Sequence, residues 1–190
     1  MSYFDNKENA LSYIKMVEGF DNDFMMHEVF TNLPLDKKML ELGIGSGHDL
    51  DVLRKCYDVT GTDKSEVFLE LYREKNAETP LLKLDAVKMD IDDTFDYIYS
   101  NKVLIHLSDE DMKESFLNQL RVLNEGGLVF HSFWKGTHEE EFHGLRFNYK
   151  TKQDILDMTN KYYDLIKYKE YKEFAANDSF YIVLKKKASK

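Results

Sequence analysis

Several residue types and patterns are scarce in this chain of 190 residues. There is one cysteine, Cys56, so no disulfide can form within the chain, as expected in a reducing, cytoplasmic setting. It lies in the polar stretch Arg54-Lys55-Cys56-Tyr57-Asp58 between a helix and a strand, where packing is expected rather than nucleophilic chemistry. Two prolines and nine glycines are too few for a fibrous or disordered chain. No stretch approaches the roughly 20 apolar residues of a membrane span. The start, Met1-Ser2-Tyr3-Phe4-Asp5, lacks the basic and apolar regions of a signal peptide. Basic residues are outnumbered, 26 Lys and Arg against 35 Asp and Glu, which gives a net charge of -9. Such a chain repels polyanions, so neither nucleic acid nor a membrane surface is expected as a partner. The compact basic run Lys185-Lys186-Lys187, with Lys190, reads as a solvated tail. The six histidines do not pair at metal-ligand spacing, and no metal site is expected.

What is present suits one packed domain over 1–190: 43% of residues are hydrophobic and 14% aromatic. Residues 5 to 33 carry two helical patterns, with Ala10, Ile14 and Val17 on one face of the first and Val29, Phe30 and Leu33 on the second. From Lys38 the pattern alternates between strands and helices. Strands are expected at 39–42, 58–62, 81–84, 95–100 and 128–133. Helices are expected at about 49–55, after the capping residue Ser65, and from Ser108 to the stop at Gly126-Gly127. Thr151 with Asp154 opens a last helix, and strands at 165–168 and 180–184 follow, joined by a link short enough for an antiparallel hairpin. The alternation implies an α/β fold: a doubly wound, mostly parallel seven-stranded sheet with helices on both faces and an antiparallel C-terminal strand. The organisation expected is a helical cap at 1–36, a core at 37–133 that binds the ligand, and a substrate-side loop, helix and last two strands at 134–190.

Sheets of this kind bind ligands beyond the carboxyl ends of their strands, where the winding reverses. The stretch Glu41-Leu42-Gly43-Ile44-Gly45-Ser46-Gly47-His48-Asp49 falls there, between the first parallel strand and a helix. Its glycines permit a tight turn and a close approach of backbone to a ligand, and its amides can donate to a polar group. Asp63 ends the second strand, 20 positions after Gly43, where a carboxylate accepts from two ribose hydroxyls. Loop and carboxylate fit either a nicotinamide dinucleotide or S-adenosylmethionine. The spacing is G-x-G-x-G rather than G-x-G-x-x-G, there is no room for a second catalytic domain, and the last strand pair is antiparallel. These features favour S-adenosylmethionine.

The glycine stretch, Gly61-Thr62-Asp63, Leu84-Asp85-Ala86, Phe95 to Ser100, Val103-Leu104-Ile105-His106-Leu107 and Leu123 to Leu128 together resemble the motifs of class I, Rossmann-like S-adenosylmethionine-dependent methyltransferases, in order and at the usual distances. The resemblance covers about Lys38 to Phe133. It implies that Glu41 and the backbone of Gly43, Gly45 and Gly47 hold the methionine portion of the cofactor. It places Asp63 on the ribose, Lys64 and Ser65 beside the adenine, and Asp85 with Ala86 at the adenine edge, Asp85 accepting from the exocyclic amine. Asn101, Lys102 and Val103 would meet the methionine portion and the substrate, and Tyr13 would cover the site.

Methyl transfer is an in-line displacement that chiefly needs alignment and exclusion of water. A base is needed only when the nucleophile carries a proton. Of His106, His131 and His143, His131 is best placed for that role, at the end of a strand. The connection Trp134 to Tyr149 and the N-terminal helices would read the substrate. With no separate recognition domain, a small-molecule acceptor is expected. Two alternatives remain at this point: an NAD(P)-dependent oxidoreductase, and a non-catalytic S-adenosylmethionine-binding or regulatory module.

Overall fold

The computed structural model describes residues 3–188. A 3-10 turn at Tyr3–Asp5 leads into α1 (Lys7–Val17) and α2 (Asp23–Asn32). Then come β1 (Lys38–Leu42), α3 (His48–Leu53), β2 (Asp58–Asp63), α4 (Glu66–Arg73), β3 (Leu81–Lys83) and β4 (Phe95–Asn101). A second 3-10 turn at Leu104–His106 precedes α5 (Asp109–Val122) and β5 (Leu123–Trp134). The remainder is β6 (Glu139–Phe142), β7 (Leu145–Asn148), α6 (Lys152–Thr159), β8 (Tyr163–Tyr171) and β9 (Ser179–Lys186).

Seven strands form one sheet in the order β3-β2-β1-β4-β5-β9-β8. The pairs among β1 to β5 are parallel, and β9 runs antiparallel to both β5 and β8. This is the mostly parallel seven-stranded sheet with an antiparallel C-terminal strand that the alternation implies. Side chains of successive strand residues point to opposite faces, and the core divides accordingly. Leu40, Ile98, Val129 and Ile182 pack with Met112 and Phe116 of α5. Their neighbours Met39, Tyr97, Phe130 and Tyr181 pack with α2, α3 and α4 through Val29, Leu50 and Leu69. The winding reverses between β1 and β4, so the glycine loop after β1 and residues 101–103 after β4 face one crevice.

Some local expectations are corrected. The 134–149 connection is not a plain loop: β6 and β7 form a hairpin, with His143 (φ 51°) and Gly144 (φ 76°) as its two-residue turn. Positive φ at both positions is what a tight hairpin requires. The run at 185–187 is not a solvated tail. Lys185 and Lys186 belong to β9; Lys186 donates to the carbonyls of Leu120 and Leu123 at the end of α5, and Lys187 to that of Asn160 after α6. Cations there meet the negative ends of the two helices. Lys190 lies outside the described residues. Ser65 occupies the N-cap position of α4, but its hydroxyl donates to the Phe4 carbonyl instead of capping. Thr151 and Asp154 do form a capping box.

Candidate active site

Gly43, Gly45 and Gly47 all take left-handed φ values, 71°, 49° and 80°. A Cβ on Gly43 would come 2.6 Å from Cγ2 of Val103, and one on Gly45 would come 3.3 Å from Cε1 of Tyr13. The loop therefore lies directly against the turn after β4 on one side and α1 on the other. Asp63 ties the ends of β1 and β2 together. Its Oδ2 accepts from the Gly45 amide at 3.1 Å and its Oδ1 from the Ser65 amide at 2.9 Å. Burial raises its pKa against the pull of those amides.

Two further carboxylates converge on the loop. Glu41 is buried, and its Oε2 has no hydrogen-bond partner among the described residues. Burial, then the fields of Asp49 and Asp63, hold its pKa well above the usual carboxylate range. Asp49 also has a raised pKa, through burial. It accepts from Tyr99 at 2.6 Å, from Asn101 at 3.2 Å and from Asn22. Asn101 Oδ1 in turn accepts from Ser132 at 2.5 Å, and the Ser132 hydroxyl accepts from the Lys102 amide at 3.0 Å. An orphaned buried carboxyl beside two more acids suits a ligand carrying an ammonium or sulfonium. The same acids oppose a diphosphate.

On the β2–β3 side, Lys64 Nζ lies 2.8 Å from Asp85 Oδ2, and the Val87 amide donates to Asp85 Oδ1 at 2.8 Å. Although burial opposes it, these partners lower the Asp85 pKa. The N-terminal segment closes over the loop: Phe4, Tyr13 and Phe68 form an aromatic trio. Burial and the nearby Asp49, Asp63 and Glu173 push the Tyr13 phenol up to about 12. Tyr3 stacks on His143 at the β6–β7 turn, and Phe20 meets Phe174 of the β8–β9 link edge-on.

Sequence reasoning placed Lys102 toward the crevice. Its backbone is there, at φ 59°, but its side chain is held elsewhere. Nζ donates to the Phe133 carbonyl at 3.3 Å, to Ser179 at 2.8 Å and to Glu173, within cation-π range of Trp134 and Tyr171. Burial lowers its pKa to about 8 despite Glu173.

The expectation that His131 is the base is corrected. Its side chain is completely buried and both ring nitrogens are engaged, Nδ1 with Ser100 at 2.7 Å and Nε2 with Gln119 Oε1 at 2.9 Å. Burial lowers its pKa to about 3. His106, one of the other two candidates from sequence, is arranged differently. Its Nδ1 lies 2.7 Å from the Arg146 carbonyl. A carbonyl only accepts, so Nδ1 carries the proton and Nε2 the lone pair. Nε2 has no hydrogen-bond partner among the described residues. Burial, opposed by that carbonyl, lowers the His106 pKa, so the ring is neutral near pH 7. The signal lay in the β6–β7 hairpin, whose backbone fixes the tautomer and whose Phe147 packs edge-on against the ring.

Among the described residues no group of three or more His, Cys, Asp or Glu is arranged to hold a metal ion, and no helix is long and apolar enough to cross a membrane.

Residues 39–127 match the model of a family described as a methyltransferase domain. The phosphoethanolamine N-methyltransferase 1 of Caenorhabditis elegans is 28% identical over 109 residues, covering 54% of this chain and 23% of that protein. The chain thus spans under a quarter of the length of this curated relative. Among solved structures, the 1,6-didemethyltoxoflavin-N1-methyltransferase of Burkholderia thailandensis, with its substrate and S-adenosylhomocysteine bound, superposes with a TM-score of 0.77 at 13% identity, over 96% of this chain and 87% of that one. The N-methyltransferase NodS of Bradyrhizobium japonicum, in complex with S-adenosylhomocysteine, gives 0.74 at 11% identity, over 97% and 99%.

Proposed function

We propose that the chain, whose residues 39–127 match the model of a methyltransferase domain, transfers the methyl group of S-adenosylmethionine to a nitrogen of a small molecule. The observation that carries the reading is the glycine loop bracketed by the unpartnered Glu41 carboxyl and the Asp63 carboxylate. Glu41 would receive the ammonium of the methionine portion, the Gly43–Gly47 backbone would lie along it, and Asp63 would hold the ribose diol. Ser65 and Lys64 would flank the adenine, and Asp85 with Ala86 would meet its edge. Tyr13 would cover the methionine portion. When bound, S-adenosylmethionine supplies an activated methyl and its own leaving group.

The remaining tasks fall to the protein. Asn101 and the backbone of Lys102 and Val103 bound the space next to the loop, where an acceptor would be aligned. The aromatic N-terminal segment, with Tyr3 stacked on His143 of the β6–β7 turn, would shield that space from water. An amine that arrives protonated must lose a proton before it attacks, and His106 Nε2, a neutral acceptor of fixed tautomer, is the group we assign to take it. The nitrogen acceptor is supported by the names of the relatives, which methylate nitrogen in phosphoethanolamine and in a toxoflavin precursor. A cytosolic setting is proposed on the single cysteine.

Calorimetry with S-adenosylhomocysteine, with NADH as a parallel titration, tests the cofactor. A panel of small amines with methyl-labelled S-adenosylmethionine tests turnover. Saturable binding of S-adenosylhomocysteine and label transfer to an amine are expected. Binding of NADH alone would sink the proposal. Cofactor binding without turnover on any acceptor would leave a regulatory module.

A further inference from the structure

Four completely buried polar side chains form one line through the interior: Ser100 of β4, His131 of β5, and Gln119 and Ser115 of α5. Its far end fixes every hydrogen. Ser115 Oγ donates to the Ala86 carbonyl at 2.7 Å, since a carbonyl has nothing to give. Gln119 Nε2 donates to Ser115 Oγ at 3.1 Å, so Gln119 Oε1 is left to accept from His131 Nε2, and His131 Nδ1 accepts from Ser100. Apolar residues would fill the same core at lower risk to stability, because a partly satisfied buried network is costly. The arrangement therefore directs attention to what it holds.

It holds one peptide unit. The Ala86 carbonyl and the Val87 amide belong to the same planar, trans peptide and point in opposite directions. Ser115 takes the carbonyl side, and the amide side donates to Asp85 Oδ1 at 2.8 Å. The next carbonyl, that of Val87, accepts from Asn118 at 2.8 Å, and those of Met89 and Ile91 accept from Arg121. A turn without regular structure is thus pinned carbonyl by carbonyl to α5. The Asp85 carboxylate is thus held at Oδ2 by the Lys64 ammonium on an exposed side chain and at Oδ1 by the Val87 amide, whose direction follows the plane of peptide 86–87.

We propose that Ser115 is a positioning residue that, through the Ala86–Val87 peptide, orients the Asp85 carboxylate to select a purine bearing a 6-amino group over one bearing a 6-oxo group. The inference rests on the reading of Asp85 as the group at the adenine edge. A 6-amino group donates to a carboxylate, whereas a 6-oxo group presents oxygen to oxygen, so selection depends on where the carboxylate points.

The test is calorimetric affinity for S-adenosylhomocysteine and S-inosylhomocysteine in wild type, Ser115→Ala and Ser115→Thr, with the melting temperature of each protein recorded. Wild type prefers the adenosyl ligand by about tenfold or more, the worth of one buried hydrogen bond to a charged group. Ser115→Ala brings that ratio close to unity, and Ser115→Thr, which keeps the hydroxyl, restores it. A purely structural role would lower the melting temperature and leave the ratio unchanged; that result overturns the proposal. Should Ser115→Ala fail to fold, Ser115→Cys, which keeps the size of the side chain but is only a weak donor to the Ala86 carbonyl, takes its place under the same criterion. Failure of wild type to bind S-adenosylhomocysteine would overturn the reading of the whole site. An unchanged ratio in a wild type that does bind overturns the role of Ser115 alone.

Discussion

The Tyr72 ring fills the space that a side chain at Gly47 would need: a Cβ there would lie 2.2 Å from Cδ2 and 2.3 Å from Cε2. Tyr72 cannot swing aside freely, because its hydroxyl donates to Asp51 at 2.6 Å. Gly47 is also the N-cap of α3, at φ 80°. Gly47→Ala should therefore cost about 2–4 kcal/mol, from left-handed strain and overpacking together. Urea unfolding of Gly47→Ala, Tyr72→Ala and the double variant checks this. The double variant should be markedly more stable than the sum of the single losses implies, and simple additivity would show that the two residues do not contend for this space.

Glu41 should change its protonation when ligand binds. Its folded-state pKa lies well above the usual value, so between the unfolded and folded values the native chain holds the extra proton. Stability from this group therefore falls as pH rises through that window. Glu41→Gln should flatten that dependence. A ligand ammonium at Glu41 favours the ionised form, so S-adenosylhomocysteine binding should release a proton at any pH where the free protein holds Glu41 protonated. Calorimetry in two buffers of different ionisation enthalpy reads this directly. Equal enthalpies would separate Glu41 from the ammonium.

Asp63→Ala should weaken S-adenosylhomocysteine binding by about 1–3 kcal/mol, the range for leaving buried hydroxyls without their partner. Titration calorimetry measures it, and unchanged affinity would remove Asp63 from the ribose.

His131 should govern part of the acid stability without touching catalysis. Its folded pKa of about 3 lies below its ordinary value. Below about pH 6.5 the unfolded chain takes up a proton that the native chain refuses, so stability falls as pH falls toward 3. The loss is up to about 1.4 kcal/mol per pH unit in that window. His131→Leu should be less stable at pH 7 yet show a shallower decline on acidification, as measured by urea midpoints from pH 7 to pH 4. An unchanged slope would show that the ring is protonated in the native state.

His106→Asn should lower kcat for an amine acceptor by about 10²- to 10⁴-fold, the usual range for a proton-transfer group, with S-adenosylhomocysteine affinity unchanged. Because burial lowers the His106 pKa, the acid limb of the wild-type profile should fall below the ordinary histidine range. Full turnover by the variant would assign the base elsewhere.

The sheet and its ligand-bearing ends were legible because they rest on local patterns. Apolar strands such as Met39 to Leu42, glycines at the reversal point and an acid at the end of β2 are each written in a few consecutive residues. What was not legible depends on long-range partners. His131 looked like a strand-end base, but residues 100 and 119 bury both its nitrogens. His106 ranked below His131 in sequence because the Arg146 carbonyl that fixes its tautomer lies 40 positions away. The β6–β7 hairpin was hidden because Glu139 to Glu141 are exposed and show no apolar alternation, leaving His143-Gly144 as the single clue. Lys186 and Lys187 resembled a tail because their partners are carbonyls at the ends of α5 and α6.

The place of β9 between β5 and β8 sets an order on the ribosome. While the chain is being made, β8 emerges first, and its sheet partner is a strand not yet synthesised. The β5 edge likewise stays open until Ser179 to Lys186 arrive. Glu173 and Ser179, which hold the Lys102 ammonium, come in the same late stretch. The turn after β4 is therefore completed only when a stretch some 70 to 80 positions further along has been made. A nascent chain halted before Ser179 would carry the glycine loop but an unfinished acceptor side.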